Sequence, residues 1–114
     1  DNIVIEGSIS NTPNATLNNA TAVNWSLSNI QYGTIDQNNT ITFNNVADGQ
    51  TLTMYIKNTD TDSNTVTFAS GNAVVWGGEY GNAAPAIAAN KTNLYTFVRV
   101  HTGIFASAVT GYIY

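Results

Sequence analysis

Cysteine is absent from the 114 residues, and charge of either sign is scarce, with three Lys or Arg and seven Asp or Glu making up 9% of the chain. Without Cys there is no disulfide framework, no thiolate zinc site and no cysteine nucleophile. The cations are Lys57, Lys91 and Arg99, and the formal net charge is −4. So small a basic complement cannot neutralise a phosphate backbone, which excludes nucleic acid as a partner. No long apolar run occurs either. The stretch between Glu6 and Asp36 is uncharged, but Asn and Thr fill it, so membrane insertion is excluded for that segment. The first residues, Asp1-Asn2-Ile3-Val4, have neither the basic start nor the apolar run of a signal peptide, and there is no initiating Met. The chain therefore reads as processed or excised.

Uncharged polar groups take the place of charge: there are 17 Asn and 16 Thr. Hydrophobic residues still make up 43% and aromatics 11%, so the composition is that of a folding chain rather than a disordered one. Its length suits one domain.

Apolar and polar residues alternate with a period of two in many places, the signature of half-buried strands. Val23, Trp25 and Leu27 alternate with Asn24, Ser26 and Ser28, and Thr40-Ile41-Thr42-Phe43 repeats the pattern. In Thr51 to Lys57, Leu52, Met54 and Ile56 point one way while Thr51, Thr53, Tyr55 and Lys57 point the other. Thr65 to Phe68 follows suit. Leu94 to Val100 is apolar on both faces, which predicts a strand covered on both sides. Ile104 to Val109 and Tyr112 to Tyr114 read as closing strands. Asp48-Gly49, the polar loop Thr59 to Asn64, and His101-Thr102-Gly103 supply turns, and together they predict short antiparallel connections. Ala83 to Asn90 contains Pro85 and follows Gly77, Gly78 and Gly81, so it reads as a loop with at most one helical turn. The fold class expected is all-β, an antiparallel, jelly-roll-like β-sandwich over residues 22–114. Residues 1–21, apart from a short apolar run at Ile3-Val4-Ile5, form an N-terminal extended arm or linker that is either a flexible lead-in or a segment pairing with a neighbouring subunit.

Few residues offer chemistry. His101, the only histidine, sits beside Thr102-Gly103 and reads as a turn residue. Asp60-Thr61-Asp62-Ser63-Asn64 spaces oxygen ligands as a calcium loop begins, but Thr65 stands where that loop needs Gly, and Gly71 where it needs Glu. No metal and no cofactor are expected. The seven acids fall in no motif that would pair two of them for glycoside hydrolysis, so no catalytic residue is assigned. The sequons at Asn14, Asn19, Asn24, Asn38 and Asn90 are about as many as this composition produces by chance. Trp76-Gly77-Gly78-Glu79-Tyr80-Gly81 places two large rings in a loop with little else on its backbone. Trp76 and Tyr80 are candidate contacts for a glycan, or else for the core or a subunit interface.

An ordered series of segments carries a resemblance. Val23-Asn24-Trp25-Ser26-Leu27-Ser28-Asn29 is followed by Asn39-Thr40-Ile41-Thr42-Phe43, Asp48-Gly49-Gln50-Thr51-Leu52-Thr53 and Thr65-Val66-Thr67-Phe68. Val74-Val75-Trp76-Gly77-Gly78, Ala84-Pro85, Asn90-Lys91 and Tyr95-Thr96-Phe97-Val98 complete it. This resembles a small β-rich module that recurs in bacteriophage tail fibres and related virion proteins, and the resemblance covers residues 22–114. It departs from that pattern at Val100-His101-Thr102-Gly103, where the related modules carry an Asp-Gly turn. The resemblance implies a homotrimeric, non-enzymatic module on the virion surface, with fibre, tail or major capsid proteins as partners and a role in host attachment. Two other readings stand beside it: a capsid decoration (cement) protein using residues 1–21 as its arm, and a carbohydrate-binding module meeting a host surface glycan through Trp76 and Tyr80.

Overall fold

The computed structural model describes Gly7 and residues 11–114. Among the described residues there are nine strands: β1 (Asn14–Ala15), β2 (Ala22–Asn24), β3 (Ile30–Ile35), β4 (Asn39–Asn44), β5 (Thr51–Asn58), β6 (Val66–Ala69), β7 (Ala73–Trp76), β8 (Thr92–Val100) and β9 (Gly103–Tyr112). A single 3₁₀ turn spans Gly78–Tyr80. Six strands form one sheet in the order β1-β3-β5-β8-β9-β7, and three form a second in the order β2-β4-β6.

The expectation of an all-β chain holds, but that of an antiparallel one does not. From β1 to β6 the chain alternates between the sheets, and each strand lies parallel to its predecessor in the same sheet. β7 also runs parallel to β9. Antiparallel pairing is confined to β5 with β8 and β8 with β9. The sheets are therefore mixed. Parallel neighbours need a crossover between them: from β1 to β6 each crossover passes through the opposite sheet rather than through a helix, and between β7 and β9 the chain runs through β8 of the same sheet. The turn at Asp48-Gly49 forms as expected, with Gly49 at φ 82° and Gln50 N donating to Ala47 O. It carries the chain from β4 in one sheet to β5 in the other instead of closing a hairpin. Only the β8–β9 connection is the expected hairpin, with His101 at φ 56°.

Inward side chains of both sheets meet in one core. Val23, Ile41, Phe43, Val66 and Phe68 come from the three-stranded sheet, and Ile35, Leu52, Met54, Ile56, Tyr95, Phe97 and Ile104 from the other. At its centre Phe97 meets Phe43 edge-on at 4.9 Å and Phe68 at 5.0 Å between ring centroids. Leu27 is not part of it. The chain turns after Asn24, so Trp25 is buried while Leu27 is 64% exposed. Nor does Tyr112 to Tyr114 close a sheet: β9 ends at Tyr112, and Ile113 and Tyr114 project beyond it, exposed.

The buried side-chain amides are hydrogen-bonded, as burial requires, whereas Thr92 Oγ1 and Trp25 Nε1 are buried without a partner among the described residues. Gln31 Nε2 donates to Asn24 O at 2.8 Å and its Oε1 accepts from Asn14 Nδ2 at 3.0 Å. Asn58 Nδ2 donates to Asp62 O at 2.8 Å and Ile87 O at 3.0 Å, while its Oδ1 accepts from Asp60 N and Asn64 Nδ2. The described part of the N-terminal segment belongs to this body. Thr16 N donates to Tyr32 O, Asn19 N to Thr34 O, and Asn39 Nδ2 to Ala20 O. The strand expected at Ile3-Val4-Ile5 lies outside the described residues.

Candidate functional site

Trp76 and Tyr80 come together, but in a packing arrangement. Trp76 is 5% exposed and lies edge-on to Tyr80 at 5.7 Å, with Phe68, Tyr95 and Phe97 also around it. The Tyr80 hydroxyl donates to Ala108 O at 2.9 Å, pinning the 3₁₀ turn onto β9. Trp76 is thus part of the core, and the half-buried Tyr80 packs against it.

The acidic loop is likewise occupied by its own fold. Asp60 Oδ2 accepts from Asn64 Nδ2 at 3.0 Å, and Asp60 Oδ1 from Thr61 N at 2.7 Å. These bonds, that from Asn64 foremost, hold the Asp60 carboxyl below its ordinary pKa. Among the described residues no three His, Cys, Asp or Glu side chains gather as a metal site would require. The backbone N of His101 donates to Asp48 Oδ1 at 2.8 Å, and its carbonyl accepts from Arg99 Nε at 3.0 Å, which makes this residue a turn member.

The outward face of the six-stranded sheet differs from everything the motifs pointed to. Alternation puts Tyr32 and Thr34 of β3, Tyr55 and Lys57 of β5, Leu94 and Val98 of β8, Phe105 and Val109 of β9, and Val75 of β7 on that face. Phe105 is 51% exposed and Val109 54%. The described strands contain no acid, and their only cations are Lys57 and Arg99. Arg99 is turned away to bond Val46 O at 2.5 Å, leaving Lys57 as the cation of the outer face.

Near the β1 side this face is shaped. The register pairs Tyr32 with Tyr55, and the rings stack at 5.1 Å with planes 15° apart. Tyr114 meets Tyr55 edge-on at 5.6 Å. Burial, then the neighbouring hydroxyls of Tyr114 and Tyr32, raise the Tyr55 pKa. The three rings with Thr16, Thr34 and Lys57 border a cleft of about 430 Å³. Tyr55 was legible as an outward residue from the alternation in β5. Tyr32 and Tyr114 were not, because only the strand register and the path of the chain after β9 bring them alongside it. Comparison with known protein families, with curated proteins and with solved structures finds no match for this chain.

Proposed function

We propose that the chain is a non-enzymatic structural module of a bacteriophage virion surface, of the tail-fibre type, and that it acts in host attachment. We read its two facing sheets as a β-sandwich that assembles into a homotrimer. The observation that carries the reading is the outer face of the six-stranded sheet: broad, rich in apolar and hydroxyl groups, and almost free of charge. Parallel strands are ordinarily covered on both faces, and among the described residues the outward side chains of β3 and β5 are only half-buried or exposed. A surface of this kind suits contact with another surface better than chemistry. The acids of the described residues support the same view, since all of them lie in loops or in the 3₁₀ turn.

Labelling tests the placement. Antibodies against the purified chain should mark the tails of particles that carry it and should block their adsorption to host cells. Label spread over the head lattice would favour the cement reading, and unlabelled particles would remove the virion reading altogether. Sedimentation of the purified chain should give three times the 12.1 kDa chain mass; a monomer at high concentration would overturn the trimer.

A further inference from the structure

We infer that the cleft beside the Tyr32–Tyr55 stack is a saccharide-binding site. The inference rests on the attachment reading only in naming what would be attached to. Three observations converge on it.

The first is ring geometry. Tyr32 and Tyr55 stand as a stacked pair on adjacent strands, and Ala15 continues the same column on β1 with no more than a methyl group. Among the described residues the far side of Tyr32 has no further ring against it, and Tyr114, 71% exposed, forms a second aromatic wall at right angles to Tyr55. Aromatic faces flanking a shallow opening match the apolar C–H faces of a pyranose, while the edges of such a sugar carry hydroxyls.

The second is the state of the hydroxyls. Tyr80 and Tyr95 give theirs to the main-chain oxygens of Ala108 and Pro85. Among the described residues Tyr32, Tyr55 and Tyr114 give their hydroxyls to no main-chain oxygen; those of Tyr55 and Tyr114 pair with each other, and all three residues border the cleft. Thr34 donates to Asn18 Oδ1 and keeps its oxygen free to accept.

The third is charge. Lys57 lies at this cleft, on a face with no carboxylate side chain among the described strands. An ammonium here can donate to sugar hydroxyls, and more strongly to the carboxylate of an acidic sugar. The size is also right, since a volume of about 430 Å³ falls within the range of small-molecule sites and holds one or two sugar rings.

The experiment is retention of the purified chain on an array of neutral hexoses, N-acetylhexosamines, uronic acids and sialylated oligosaccharides. The wild-type chain should bind a subset. Tyr32→Ala and Tyr114→Ala should each weaken that binding by about tenfold or more, the effect of losing one central aromatic contact. Tyr32→Phe should keep most of it if stacking dominates. Lys57→Met should reduce binding to acidic sugars more than to neutral ones. Because Tyr114 is so exposed, Tyr114→Ala leaves the fold intact, and far-UV circular dichroism checks each variant. No retention by the wild type on any arm, or equal retention by wild type, Tyr32→Ala and Tyr114→Ala, would overturn the site. Either result leaves the particle-labelling outcome untouched, so the two readings fail separately.

Discussion

At Gly33 the backbone of β3 passes so close to Thr16 that a methyl group added there would overlap Thr16 Oγ1. Gly33→Ala should therefore cost about 1–3 kcal/mol, the usual penalty of overpacking. Removing the obstructing oxygen with Thr16→Ala should return part of that loss, giving a coupling of at least about 0.5 kcal/mol in a double-mutant cycle followed by urea unfolding. Equal costs in both backgrounds would mean that the overlap is not the cause. Asn58 is a second sensitive position, because both ends of its buried amide are used. Asn58→Ala should lower stability by about 2 kcal/mol by stranding those partners. Asn58→Asp should be worse near neutrality, since it sets a carboxylate oxygen against the carbonyls of Asp62 and Ile87. It should recover in mild acid, where the side chain regains a proton to donate; a variant as stable as wild type at pH 7 would contradict this account.

Among the elements, the β5–β6 connection depends on ionisation. The Asp60 carboxyl has a lower pKa in the folded chain than its ordinary 3.8, chiefly through the bond from Asn64. Its contribution is thus present at neutral pH and is lost as pH falls below that value and through the folded pKa. Amide exchange at Thr61 and side-chain NH₂ exchange at Asn64 should accelerate there, while Asp60→Asn should abolish the step. Strand β8 shows how far an element can be read from its own residues. Its inward Tyr95 and Phe97 were visible as one face, and both are fully buried. Coverage of its other face was also expected from Leu94, Val98 and Val100, yet Val100 is 56% exposed. The same apolar alternation arises whether the second face meets its own chain or something outside it.

For the whole molecule, stability should be nearly independent of ionic strength. With 9% charged residues and strands that hold two cations and no acid, few charge pairs exist to be screened. The thermal midpoint should move by less than about 3 °C between 0.05 and 1 M NaCl, since exposed pairs each contribute at most about 1 kcal/mol. A larger fall would expose an electrostatic contribution that this arrangement does not contain. Folding should be slow for the chain's size, with refolding in milliseconds to seconds, because nearly every ladder joins strands distant in sequence. Microsecond refolding would contradict this.

What the residues determined alone was the inward and outward sides of the strands they announced. Leu52, Met54 and Ile56, or Ile41 and Phe43, alternate because successive side chains of any extended backbone point to opposite faces. The tertiary structure decided the rest: which strand lies beside which, in which direction, and in what register. A strand offers the same N–H and C=O groups to a parallel or an antiparallel neighbour, so its own residues do not choose between them. That choice set Tyr32 against Tyr55, folded Trp76 into the interior with Tyr80 packed against it, and moved the candidate binding surface from a glycine-rich loop to the open face of a sheet.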